Sequence, residues 1–123
     1  MKLLIADDSD LFRERFVKML SRSPEIEIIG QARDVVETKS LILELKPDIV
    51  TLDIRMPKGS GLDVLKYIKK NMPAISVIVL TNYPYEQLRE ECMAQGADFF
   101  LDKSNDFGEI VKILKQLAAD LKV

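Results

Sequence analysis

Three acids, a hydroxyl and an amine are the groups in this chain whose placement points to chemistry. Val50-Thr51-Leu52-Asp53 is a short apolar run that ends in a carboxylate, and the loop Met56-Pro57-Lys58-Gly59-Ser60-Gly61 follows closely. A strand that delivers an acid to its own C-terminal tip is where an open α/β sheet keeps its chemistry. Lys2-Leu3-Leu4-Ile5-Ala6 ends in the same way, in Asp7-Asp8. Acids from two such tips repel if the tips are neighbours: two unit charges about 5 Å apart cost roughly 3 kcal/mol at an effective dielectric near 20. A shifted pKa or a bound cation relieves this. Oxygen ligands alone, in a chain without histidine, select a hard ion, Mg²⁺ or Mn²⁺ rather than Zn²⁺. Thr81 closes another apolar run, and Lys103 follows the last one. Three carboxylates, one ammonium and one divalent cation sum to zero charge. A phosphoryl group arriving at Asp53 would meet the metal, the ammonium and the hydroxyl, and phosphoryl transfer depends mainly on such positioning and neutralisation.

The elements that must position these groups alternate regularly. Lys2–Ala6, Ile26–Gly30, Asp48–Asp53, Ile75–Thr81 and Phe99–Leu101 read as five strands. Between them lie helical patterns. Ser9 and Asp10 start the first, which carries Phe12, Phe16, Met19 and Leu20 and stops at Ser23-Pro24. Asp34 caps the second, with Val35, Leu41, Ile42 and Leu45, ending before Pro47. The third carries Leu62, Leu65 and Ile68. The fourth has Pro84 in its first turn, Leu88 and Cys92 four apart, and Gly96 as its C-terminal cap. Asp106-Phe107-Gly108-Glu109 resembles a capping box, and the last helix is expected to run to Val123. Strict alternation predicts an α/β fold, a parallel sheet between helical layers. The first, third and fourth strands are the most apolar and belong in the centre. Right-handed crossovers then leave the order 2-1-3-4-5, flavodoxin-like, with a crevice between strands 1 and 3.

Composition bounds the function. A chain of 123 residues suits one domain, here residues 1–123. A net charge of −2 gives no electrostatic case for nucleic acid binding. Cys92 is the only cysteine, so no internal disulfide or thiolate cluster forms. The lack of histidine excludes Ser-His, Cys-His and His-metal catalysis within the chain. No signal-peptide pattern or membrane-spanning run is present, so a cytoplasmic location is expected.

With Asp7-Asp8, Asp53, Thr81 and Lys103 in that order at successive strand ends, the chain resembles the receiver domain of two-component response regulators. Asp53-Ile54-Arg55-Met56-Pro57 followed by Gly61 is similar to that family's acceptor loop, and Gly96-Ala97-Asp98-Phe99-Phe100 to its approach to the fifth strand. The resemblance covers nearly the whole chain. It implies that Asp53 is the nucleophile that becomes an aspartyl phosphate. It also implies that Asp7, Asp8, Asp53 and the Arg55 main-chain carbonyl bind Mg²⁺, Asp7 through water. Lys103, Thr81 and the Asn82 main-chain N–H would contact the phosphoryl group, while Thr81 and Phe100 would form the switch. The implied phosphodonor is a sensor histidine kinase, a histidine phosphotransfer protein or a small acyl phosphate. The output partner is not named by the sequence, and pairing of two phosphorylated copies is compatible with it. Such a domain is a signalling switch, not an enzyme with a released product.

The chain departs from the family pattern in three respects. Asn82 stands where a small residue is usual and narrows access. Ser104 replaces a common proline, so a trans Lys103–Ser104 bond and a shifted loop are expected, because cis without proline costs about 2.5–4 kcal/mol. Arg55 and Tyr83 are bulky where the family tunes dephosphorylation, which predicts slow hydrolysis. A phosphatase of the haloacid dehalogenase type would carry Asp-x-Asp after its first strand, and here the acids are adjacent. An FMN site would want a Ser/Thr/Gly loop there, and the acids would repel its phosphate. A binding module that keeps the fold without phosphorylation is the third alternative.

Overall fold

The computed structural model describes residues 1–121; residues 122 and 123, into which the last helix is predicted to continue, lie outside the described residues. The first half of the chain forms β1 (Lys2–Ala6), α1 (Asp10–Leu20), β2 (Glu27–Ala32), α2 (Val35–Leu45) and β3 (Ile49–Asp53). A hairpin of two-residue strands, β4 (Arg55–Met56) and β5 (Gly59–Ser60), comes next. Then follow α3 (Gly61–Asn71), β6 (Ser76–Thr81), α4 (Glu86–Ala94), β7 (Phe99–Asp102) and α5 (Phe107–Leu121). The long strands make one parallel sheet in the order β2-β1-β3-β6-β7. With the hairpin left out of the count this is the expected 2-1-3-4-5, its winding reversing between β1 and β3. Among the described residues no helix is long and apolar enough to cross a membrane.

Alternation along the strands builds two cores. Leu4, Ala6, Val50, Leu52, Val77 and Val79 pack with Ile42, Leu65, Ile68 and Cys92 of α2, α3 and α4. Leu3, Ile5, Ile49, Ile78 and Leu80 pack on the opposite face with Phe16 and Leu20 of α1 and Ile110, Leu114 and Ala118 of α5. Helices on both faces leave the central strands no solvent side, hence their mostly apolar runs, with Thr51 a buried exception in β3. Each large side chain so buried contributes about 1.5–3 kcal/mol.

Local chemistry sets the helix ends. Ser9 Oγ accepts the Phe12 N–H at 3.1 Å, Asp34 Oδ1 the Glu37 N–H at 2.7 Å, and Ser60 Oγ the Leu62 N–H at 3.1 Å. Gly96 follows α4 with φ +100°, the left-handed turn expected of it.

Two helix starts differ from expectation. Pro84 precedes α4 instead of sitting in its first turn, with Tyr85 as the N-cap residue. The Tyr83 N–H bonds Thr81 Oγ1 at 2.9 Å, and the Tyr85 N–H bonds the Tyr83 carbonyl at 2.8 Å, which holds residues 81–85 as a turn. Asp106 spends its carboxylate on the Asp102 N–H at 2.8 Å, closing the loop after β7 in place of the expected capping box. Met19 is 37% exposed, off the buried stripe of Arg13, Phe16 and Leu20. Among the described residues every peptide bond is trans, Lys103–Ser104 included.

Gly61 matters for the site. A Cβ there would lie 2.2 Å from the Asp53 carbonyl oxygen and 2.7 Å from Ile54 Cα, so only glycine lets α3 start against the end of β3. Gly61→Ala is expected to cost about 2 kcal/mol or more. Gly108→Ala, with nothing within 4 Å of its added Cβ, is expected to gain about 0.5–1 kcal/mol. Urea midpoints check both, and equal shifts would contradict the packing described.

Candidate functional site

The register brings the sequence-predicted residues to one edge of the sheet. Ala6 pairs with Leu52, so Asp7 and Asp53 are the next residues on adjacent strands. Asp53 pairs with Leu80, which puts Thr81 one step beyond, and Thr81 pairs with Asp102, which puts Lys103 one step beyond that. Oxygens of Asp7, Asp8 and Asp53 all lie within 4.8 Å of one another. Asp7, Asp53, Thr81 and Lys103 are buried, whereas Asp8 is exposed.

The Lys103 ammonium sits between two of the acids. It lies 2.5 Å from Asp7 Oδ2 and donates to Asp53 Oδ2 at 3.2 Å. The contact with Asp7 is a meeting of charges without hydrogen-bond alignment, so Asp7 Oδ2 is buried with no hydrogen-bond partner. Asp7 Oδ1 accepts the Ser9 N–H at 2.9 Å, and Asp53 Oδ1 accepts the Arg55 N–H at 3.2 Å. One ammonium among three carboxylates leaves a net negative cradle of oxygen donors. That donor set suits a hard divalent cation. Burial pushes the Asp53 carboxyl up to about 6; the Lys103 charge opposes the shift and the Asp7 charge adds to it.

The remaining predicted residues surround this centre. Thr81 Oγ1 is engaged by the Tyr83 N–H. Asn82 is exposed, and its side-chain oxygen accepts from Ser104 Oγ at 3.5 Å. The Arg55 guanidinium lies 3.8 Å from the centre of the Tyr83 ring, bridging the loops after β3 and β6. Phe100 is buried in the core under α4, where Arg89 donates to its carbonyl at 3.2 Å.

Two residues of α1 reach the site without having been singled out from the sequence. The Lys103 ammonium stands over the Phe12 ring, 4.5 Å from its centre. Buried Arg13 donates to the Asp7 carbonyl and pairs with Asp10. Both follow the acids by about one helical turn, and that spacing, projected back over the strand ends, is the signal that finds them.

An open, doubly wound sheet with acids, an amine and a hydroxyl at its carboxyl edge is an α/β domain of the class that keeps its site in the crevice at that edge. Residues 3–115 match the profile of the response regulator receiver domain, and the chain belongs to that family. It is 36% identical over 112 residues to the transcriptional regulatory protein LnrK of Bacillus subtilis, covering 91% of this chain and 51% of that protein. It is 38% identical over 117 residues to a protein-glutamate methylesterase/protein-glutamine glutaminase of Carboxydothermus hydrogenoformans, covering 94% of this chain and 34% of that protein. The signal receiver domain of the putative response regulator NarL from Mycobacterium tuberculosis superposes with a TM-score of 0.87 at 30% identity, over 96% of this chain and 95% of that one. The chain thus spans about half the length of the first curated relative and a third of the second.

The raised Asp53 pKa has a consequence for stability. A carboxyl that holds its proton more tightly when folded stabilises the fold fully below its unfolded value of 3.8, and the contribution is lost as pH rises through about 6. Without divalent cations, the stability of Asp53→Asn relative to the parent chain is expected to rise by about 1–3 kcal/mol between about pH 4 and about pH 7.5. Urea titrations at the two pH values check this, and a constant difference would contradict it.

Proposed function

We propose that residues 1–123 work as a single receiver domain in which Asp53 accepts a phosphoryl group. The observation that carries the reading is the buried Lys103 ammonium shared by Asp7 and Asp53, with the oxygens of Asp7, Asp8 and Asp53 gathered within 4.8 Å of one another. The donor is a phosphohistidine on a sensor histidine kinase or histidine phosphotransfer protein, or a small acyl phosphate. An Asp53 oxygen attacks phosphorus, an O–P bond forms, and the P–N bond to the donor imidazole breaks with its electron pair leaving on nitrogen. Asp7, Asp8, Asp53 and the Arg55 main-chain carbonyl would hold Mg²⁺, or Mn²⁺, which supplies charge neutralisation at the phosphoryl oxygens. Lys103, the Thr81 hydroxyl and the Asn82 N–H take the remaining phosphoryl oxygens. Thr81 gives up the Tyr83 N–H to do so, and that exchange reaches α4 and Phe100, which share its side of the sheet. Phe100 has no hydroxyl, so only its packing reports the state. The product is a changed surface read by an output partner or domain. The chain catalyses only its own phosphorylation and dephosphorylation, in the cytoplasm where its donor is charged.

Incubation with Mg²⁺ and acetyl phosphate is expected to add about 80 Da, one phosphoryl group. Asp53→Asn should abolish the gain. No mass gain in the parent, or an undiminished gain in the variant, would overturn the assignment. Turnover of many phosphate esters would point to a phosphatase.

The Arg55 guanidinium on the Tyr83 ring joins the segments that follow Asp53 and Thr81, and we read this pair as a screen against water at Asp53. Phosphate loss is therefore expected over minutes or longer. Replacing both Arg55 and Tyr83 by alanine should speed it about tenfold, the worth of a partly desolvated cation–π contact. Decay of the parent within seconds, followed by mass spectrometry, would contradict this.

A further inference from the structure

We propose that Phe12 is a positioning residue for the Lys103 ammonium, holding it by the face of its ring while the acids around it change partners. The proposal rests on the phosphoacceptor reading of Asp53. The Lys103 side chain is nearly excluded from water, and its ammonium is in contact with Asp7, Asp53 and the Phe12 ring at 4.5 Å. Both anions are altered by the proposed chemistry. Phosphorylation converts the Asp53 carboxylate to an acyl phosphate, and a cation at the acidic cradle competes for Asp7. The ring is the neighbour that these events leave in place. Its negative face attracts an ammonium, and does so most where water is excluded.

Phe12 is itself well anchored. Its N–H bonds Ser9 Oγ, which starts α1 beside the acids. Its ring packs against Phe16 at 5.5 Å and edge-on to Phe107 at 5.8 Å, and Phe16 and Phe107 meet at 6.1 Å. Phe16 is fully buried, so the trio links the ring to the core beneath α1 and α5. A lysine stem has four rotatable carbons, and its ammonium gains from a fixed platform more than a shorter, stiffer side chain would. Arg13, the next residue, ties α1 to the Asp7 carbonyl. The first turn of α1 therefore spans both the acid that starts the site and the amine that completes it.

The test measures the rate of mass gain with Mg²⁺ and acetyl phosphate for the parent chain, Phe12→Leu, Phe12→Tyr, Lys103→Met and the Phe12→Leu/Lys103→Met double variant. Phe12→Leu is expected to slow the reaction about tenfold and Phe12→Tyr to stay within about twofold of the parent. Phe12→Leu should add nothing once Lys103 is methionine, because the ring acts through the amine. In metal-free protein the Lys103 ε-methylene protons should resonate upfield of ordinary lysines, shielded by the ring face, and return in Phe12→Leu. Stepwise fluorination of the Phe12 ring keeps its shape while draining its face of negative charge, and should slow the reaction progressively even if Phe12→Leu does not fold. An unchanged rate on fluorination, an equal Phe12→Leu effect with and without Lys103, or an ordinary Lys103 resonance in the parent would overturn the proposal. A parent that takes up phosphate while these outcomes occur sinks this proposal alone. A parent that takes up none sinks the reading of Asp53, and this one with it.

Discussion

The shared ammonium of Lys103, between Asp7 and Asp53, is the interaction on which the rest of this structure depends. Charges taken out of water are costly unless paired, and removing one member of a buried set leaves the others uncompensated. The three residues come from the ends of β1 and β3 and from the loop after β7. Only a sheet that sets β1 beside β3, and β6 between β3 and β7, gathers them. The strand order and the charge cluster are therefore mutually dependent: the apolar strands bring the charges together, and the ammonium makes the gathering tolerable. It does so incompletely, since two of the three acids touch it and the burial of Asp53 still favours a proton.

The segment after Asp53 is held from several directions. The Val35 N–H bonds the Pro57 carbonyl at 3.1 Å, and Lys58 pairs with Asp34 at 3.4 Å, which joins the hairpin to the start of α2. The Gly61 N–H bonds the Ile54 carbonyl at 2.8 Å, which joins the same segment to α3. Lys58 takes φ 66° to make the turn, a left-handed conformation uncommon for a side chain of this size. An acid on such a segment keeps its direction without being in the middle of a strand, where no ligand would reach it.

Much of this was legible in the sequence for a physical reason. β1, β3 and β6 are covered on both faces, so their residues are mostly apolar, and the polar groups at their ends, Asp7, Asp53 and Thr81, stand out by contrast. Caps such as Ser9 and Asp34 were legible because a side chain that satisfies a backbone N–H three residues on acts locally. The β4–β5 hairpin was not legible: it is two residues per strand, below the length at which alternation carries information. Tyr85 as the start of α4 depends on a hydroxyl at Thr81, and the fate of Asp106 depends on the end of β7, so both turn on contacts outside their own pattern. The helical spacing of Phe12 and Phe16 shows that they share a face of α1, which is half of Phe12's role. Its other neighbour, Lys103, is ninety-one positions away and comes near only through the finished sheet.

The sheet also keeps two cores apart. Side chains under α1 and α5 do not mingle with those under α2, α3 and α4. A change of volume in one layer is absorbed there, because the backbone of the central strands stands between. A redesign of one flank therefore has to match only the face of the sheet it packs on, while the opposite flank keeps its own set of contacts.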